Sequence, residues 1–272
     1  MTIDLEPLLQ FLPGWLMVLV RITGIFLVAP IYSDQAIPTR VKALLAVGLS
    51  FCIYPVLHPS LTAPGCASAA LLARLQGSGL ALPSLCGALA AELLIGLLIG
   101  YGATLALAGM QLGGQMIDQQ LGTGLASIIN PELNTDSSVV SQFYYILGAM
   151  IFVILGGHRV MLATLLDSFH SVPLGGFRAD GHVLAVVLGL LTTMTELALR
   201  VAAPLLCLVF LETVALGFIA RTVPQMNILN VGFPLRIIVG LGLLATAISV
   251  QSGVFAETLQ RMLGTISRAF GS

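Results

Sequence analysis

The chain has 272 residues, 57% of them hydrophobic and only 8% charged, with a formal net charge of −1 at pH 7. Soluble domains carry about a quarter of their residues as charged side chains, so this composition excludes an ordinary soluble domain and indicates an integral membrane protein. Lys42 is the single lysine and no basic run exists, which excludes a polyanion-binding surface for nucleic acid or anionic lipid.

A helix that crosses a bilayer needs about 20 mainly apolar residues. Stretches of that kind fall at 11–31, 41–57, 83–110, 139–157, 183–220 and 235–253, followed by a short tail at 254–272, all within one membrane domain. Asp4 and Glu6 precede the first stretch where a signal peptide would be basic, and Arg21 interrupts its apolar run, so the first span is expected to stay. Pro55, Pro59 and Pro64-Gly65 break the chain after the second stretch, and Gly77, Gly79 and Pro83 mark the start of the third. Along the third stretch Ala88, Glu92, Gly96, Gly100, Thr104 and Ala108 recur every four residues. Small residues at that spacing let helices approach closely, and Gly96 with Gly100 is a G-x-x-x-G match. Pro173, Gly175-Gly176 and Gly181 punctuate the approach to the fifth stretch, which is long enough for two passes or a hairpin.

Between the third and fourth stretches lies 111–138, where Gln111, Gly113, Gly114, Gln115, Met116, Gln119, Gln120, Gly122 and Gly124 lead to Asn130-Pro131. The segment contains no Lys or Arg, while Asp118, Glu132 and Asp136 make it acidic. Arg40 and Lys42 place the first connection in the cytoplasm by the positive-inside rule, and simple alternation then puts 111–138 there too. An acidic segment fits that serpentine poorly. Helices covered by other subunits need not obey the rule, so the misfit points to an assembly. The segment reads as a lining or a plug: uncharged amides hydrogen-bond without strong ionic contacts, glycines permit rearrangement, and Met116, Leu121 and Leu125 can seal against apolar neighbours. The plainer reading is static close packing at an interface.

Ionisable residues inside the apolar stretches are Arg21, Glu92, Glu196, Arg200, Glu212 and Arg236. A charge at mid-bilayer costs a few kcal/mol on insertion scales, about 3 per residue, so these groups are expected to face protein or water and to find partners. Glu196 and Arg200 sit four apart in the favourable order for a helix pair. Glu92 and Glu212 have no basic neighbour in sequence and need partners from elsewhere in the chain or from another chain. No P-loop, H-E-x-x-H or G-x-S-x-G pattern occurs, and His58, His158, His170 and His182 are too far apart for a local metal site. Cys52, Cys66, Cys86 and Cys207 lack C-x-x-C spacing and read as small apolar packing residues. No enzyme, cofactor or metal role is expected.

Four blocks in order carry a family resemblance. Arg21, Gly24, Phe26 and Pro30 are followed by Ile37-Pro38, Arg40 and Lys42; Glu92, Gly96 and Gly100 run into Gly114-Gln115 and Asn130-Pro131. Gly156-Gly157-His158-Arg159 precedes Ser168-Phe169-His170, Pro173 and Gly175, and Ala203-Pro204 precedes Gly217, Arg221, Pro224-Gln225-Met226-Asn227, Gly232-Phe233-Pro234 and Gly240. Over roughly 15–255 this order and spacing resembles the FliR/SctT family of type III protein-export gate subunits. The resemblance implies an all-α fold of FliP-like plus FliQ-like helical hairpins in the bacterial inner membrane. It implies assembly with FliP-like and FliQ-like subunits, alongside an FlhB-like switch protein and an FlhA-like export protein, into a closed pore for unfolded export substrates. It also implies that the segment matching Gly113 to Asn130 is a plug in that pore, and that Arg221 belongs with the assembly charges. Asn130 stands where many relatives have Asp, which removes a charge at the end of the segment. The Gln142-Phe143 and Gly157-His158 context and the short tail favour the flagellar branch over the virulence branch. A small-solute secondary transporter, using Arg21, Glu92 and Glu212 as midplane charges, is the alternative from another class.

Overall fold

A computed structural model describes residues 6–30, 32, 37–61, 82–122, 139–176, 181–222 and 228–270, and among them every regular element is helical. The helices are α1 (Glu6–Val28), α2 (Thr39–Leu61), α3 (Leu82–Leu121), α4 (Val139–Ile154), α5 (Gly157–Ser171), α6 (Gly181–Thr222) and α7 (Ile228–Phe270). Four of them contain spans long and apolar enough to cross a membrane, at Phe11–Val28, Thr39–Leu57, Leu85–Leu121 and Val183–Thr222; two further spans arise if α4 with α5, and the two parts of α7, each count as one broken crossing.

Local chemistry sets the helix ends. The carbonyl of Pro38 accepts the amides of Val41 and Lys42 as α2 begins. Gly122 follows α3 with φ 75°, and its amide donates to the Asp118 carbonyl at 3.1 Å. That left-handed conformation costs a residue with a Cβ more than glycine, so glycine is the natural terminator there. Gly156, with φ 68°, ends the run from α4 in the same way.

Three elements differ from the expectation read off hydropathy. α3 runs to Leu121 instead of stopping at 110, so the first eleven residues of the 111–138 segment are helix. Nothing between Gln111 and Leu121 breaks the i→i−4 ladder, the next proline being Pro131. The fifth stretch is one 42-residue helix, α6, with Pro204 inside it, and not a hairpin. Residues 254–270, expected as a tail, continue α7: Phe255, Leu259, Met262, Leu263 and Ile266 are buried while Glu257, Gln260 and Arg261 are exposed. An apolar stripe at helical spacing buries well even where average hydropathy is modest.

The chain divides into two compact units: 1–104 with 157–190 and 260–272, and 105–156 with 191–259. In the first, α1 crosses α3 at close range. A Cβ on Gly96 would collide with the Arg21 carbonyl, one on Gly24 would come within 2.7 Å of the Leu93 carbonyl, and one on Gly100 within 3.0 Å of the Ile25 carbonyl. Thr104 closes this seam by donating its Oγ1 proton to the Val28 carbonyl at 2.6 Å. Met17, Ile22, Ile25, Ile95, Ile99 and Leu165 fill the surrounding core. In the second unit Leu107, Met110, Tyr144, Phe152, Leu197 and Phe255 form the core.

Candidate functional site

Two polar constellations stand out against the apolar background, one in each unit. The first joins Arg21 of α1 to Glu92 of α3, both fully buried, with Arg21 Nε donating to Glu92 Oε2 at 2.6 Å. Arg21 Nη1 donates to Ser168 Oγ at 3.1 Å and Nη2 to the Val172 carbonyl at 3.4 Å, while the guanidinium carbon lies 4.3 Å from the centre of the Phe169 ring. The other carboxylate oxygen, Glu92 Oε1, accepts the Gly175 amide at 2.8 Å. A buried ion pair recovers its desolvation cost only when the remaining donors and acceptors are also satisfied. This one draws them from α5 and the turn after it. Glu92, which lacked a sequence neighbour, therefore has its partner within the chain. Ser168, Phe169, Val172 and Gly175 could not be assigned to it from sequence, because two of the contacts use backbone atoms that any residue supplies.

The second constellation is built on the C-terminal half of α3. Gly113 and Gly114 are buried: a Cβ on Gly113 would sit 3.0 Å from the Ala198 carbonyl of α6, and one on Gly114 2.9 Å from Ser141 Cα of α4. Ser141 Oγ donates to the Gln111 carbonyl at 3.2 Å. The two glycines thus act as close-packing positions inside a helix. Gln111, Gln115 and Gln119, spaced one turn apart, are exposed along one face, Gln120 is exposed beside them, Met116 is half-buried and Asp118 is buried. Gly124, Asn130 and Pro131 lie outside the described residues.

At the end of α3, Arg236 of α7 donates from Nη1 to the Gln120 carbonyl and from Nη2 to Thr213 Oγ1, each at 3.2 Å. Its Nε lies 3.5 Å from Glu212 Oε2, within ion-pair range. Elsewhere in this unit Gln251 Nε2 donates to the Tyr144 hydroxyl at 2.7 Å and to the Val201 carbonyl at 3.4 Å, tying α7 to α4 and α6. Sequence reading passed over Gln251, since an isolated amide in an apolar run carries no spacing signal.

The remaining expected charges sit differently. Glu196 and Arg200 pair at 2.6 Å, and both side chains are more than two-fifths exposed, so neither group is buried in the chain by itself. Arg221 is likewise exposed, in the last turn of α6. The physical reason is that the α6 face is largely unpacked, only 17% of its spanning window being buried.

Neither constellation pairs a nucleophile with a base, and among the described residues no three His, Cys, Asp or Glu side chains converge as metal ligands would. What they do is hold helices together, the first through groups sealed from solvent. Residues 12–262, which contain both, match the family described as bacterial export proteins, family 1.

The chain belongs to the bacterial export proteins, family 1.

Several relatives of this member of the bacterial export proteins carry the same name. Flagellar biosynthetic protein FliR of Escherichia coli K12 is 28% identical over 240 residues, covering 88% of this chain and 86% of the relative. The protein of that name from Bacillus subtilis 168 is 26% identical over 269 residues, covering 95% and 96%. The one from Pectobacterium carotovorum is 29% identical over 222 residues, covering 82% and 79%.

Proposed function

We propose that this chain is a core, non-enzymatic subunit of the flagellar type III protein-export apparatus in the bacterial inner membrane. The observation that carries the reading is the match of residues 12–262 to the bacterial export proteins, together with full-length similarity to proteins named for flagellar biosynthesis. In this reading FliP-like and FliQ-like subunits cover the open face of α6, and FlhB-like and FlhA-like proteins complete the apparatus. The amide-rich stretch from Gly113 to Asn130 contributes to pore closure. The exposed, uncharged row Gln111, Gln115 and Gln119 supports that role, because amides can bond to a neighbouring subunit or to a passing backbone and be released again at modest cost, about 0.5–1.5 kcal/mol per net hydrogen bond.

A clean deletion of the gene tests the reading. Loss of motility, with loss of flagellar proteins from the culture medium and restoration of both by the intact gene, is expected. Normal export in the deletion strain would refute it. Deleting 114–124 is expected to disturb assembly as well as closure, since Gly114 packs on α4. The closure role is therefore better read from replacement of Gln115 and Gln119 by leucine, which leaves the buried face untouched. Increased small-solute leak at unchanged subunit abundance supports closure, and unchanged permeability removes it.

A further inference from the structure

The bond between Arg21 and Glu92 uses only Nε and Oε2, at 2.6 Å. A guanidinium carries further donors and a carboxylate a second acceptor oxygen, so a pair sealed from water still needs partners on Nη1, Nη2 and Oε1. All three come from the stretch 168–175: Ser168 Oγ accepts from Nη1, the Val172 carbonyl accepts from Nη2, and the Gly175 amide donates to Oε1.

That stretch is the end of a helix. α5 stops at Ser171, shortly before Pro173, which has no amide to donate and disfavours helix in the residue that precedes it. The Val172 amide closes the last turn on the Ser168 carbonyl at 2.9 Å, Gly175 stands in the left-handed region with φ 69°, and the Gly176 amide returns to the Pro173 carbonyl at 2.9 Å. Carbonyls at a helix end lack an intrahelical donor and carry partial negative charge, which suits a guanidinium. Arg21 and Glu92 thus cap the end of α5 from two other helices. The apolar contacts of α5 cannot mark that end. Met161, Leu165, Phe169 and Val172 are all buried, at spacings of three to four residues, and a stripe of that period presents the same face after a slide of one turn. A helix has several apolar turns but one C-terminus.

We propose that the Arg21–Glu92 pair is a socket for the C-terminal end of α5, selecting one register of that helix on α1 and α3. Arg21 supplies donors to the two acceptors of the end, and Glu92 supplies an acceptor to its amide, so the polarity of the pair matters as well as its neutrality. Stability alone does not call for a buried pair, since apolar side chains of similar volume often serve as well or better. Placing the end of α5 also fixes where the chain departs for α6, which begins at Gly181.

The test uses the full chain, solubilised from membranes with the subunits that accompany it. It follows deuterium uptake in the peptide covering 168–176 against 22–28 of α1 and 93–104 of α3. Arg21→Met with Glu92→Leu removes both charges, and Arg21→Glu with Glu92→Arg swaps them. A pair that serves only its own neutrality survives the swap. A socket does not, because a carboxylate then faces the Val172 carbonyl and a guanidinium faces the Gly175 amide. In both variants uptake in 168–176 is expected to quicken by about tenfold or more, with the α1 and α3 peptides staying within about threefold of the unaltered chain. Unchanged protection of 168–176 in either variant overturns the socket, as does equal loosening of all three peptides. Should the swapped variant not accumulate, Arg21→Lys takes its place, because an ammonium keeps the charge without the planar fork that reaches Glu92, Ser168 and Val172 together. The same selective rise is expected there, and unchanged uptake overturns the proposal; if Arg21→Lys is also absent from membranes, the apolar double variant decides alone. Failure of that double variant to accumulate overturns the socket too, because the pair would then be holding the core itself. None of these readouts depends on a role in export.

Discussion

At the scale of single residues, the Arg21–Glu92 pair decides whether α1, α3 and α5 can share one core. Both side chains are fully buried, and removing one member of such a pair leaves an unmatched charge away from water, at a cost of about 3–5 kcal/mol. Glu92→Lys places two cations together and is expected to abolish accumulation of the chain in membranes. Glu92→Gln keeps an acceptor for the Gly175 amide and is expected to reduce accumulation without abolishing it. The double variant Arg21→Met with Glu92→Leu, which replaces the pair by apolar groups, is expected to recover a large part of what Glu92→Lys loses. Quantitative immunoblots of membrane fractions give the comparison. Equal loss in Glu92→Lys and Glu92→Gln would argue against a sealed pair, and no recovery in the double variant would show that the bonds to Ser168 and Gly175 matter more than the charge.

At the scale of elements, glycine spacing makes opposite predictions along different helices. Gly96 sits where a methyl group would strike the Arg21 carbonyl, so Gly96→Ala must push α1 and α3 apart, an overpacking cost of about 1–3 kcal/mol. Gly48 of α2 has nothing within 4 Å of its would-be Cβ, and Gly48→Ala gains helix propensity, up to about 1 kcal/mol. The apparent melting temperature of the detergent-purified complex is expected to fall for the first and to hold or rise for the second; a fall of similar size in both would mean that another subunit occupies the space beside Gly48. The G-x-x-x-G seam was legible in the sequence because its period reports a helix face. The helical course of 111–121 was less so, since amides and glycines suggest a loop when read by polarity, while the absence of a breaker before Gly122 and Pro131 was the better signal. Residues 254–270 were misjudged for a related reason: Glu257 and Arg261 lower the mean, yet Phe255, Leu259, Met262 and Ile266 repeat at three to four residues and bury as a stripe. The partner of Glu92 could not be read at all, because a contact across 71 residues leaves no local pattern.

At the scale of the whole molecule, length alone limits what lipid can cover. α6 has 42 residues, about 63 Å at 1.5 Å each, against a hydrocarbon core of about 30 Å. Its spanning window of 40 residues is nonetheless strongly apolar on average, with mean hydropathy 2.2, and only 17% of it is buried within the chain. Tilt relieves a mismatch of a few residues, not one of twice the thickness. Leu184 and Leu188 near one end and Phe210, Leu211 and Phe218 near the other are all strongly exposed, and the hydrocarbon core is too thin to cover both groups; protein contacts are expected at one of them. Photo-crosslinking amino acids at Leu184, Leu188, Phe210 and Phe218 distinguish the cases in living cells. Protein adducts are expected from one end of the helix and lipid adducts, or none, from the other. The exposed Glu196–Arg200 pair near the middle belongs on the protein-covered side, because two charges at 2.6 Å neutralise one another yet still cost more in hydrocarbon than against polar neighbours. Crosslinks to lipid along the entire helix would remove the requirement for partner subunits, and with it the physical basis for reading this chain as one part of a larger assembly.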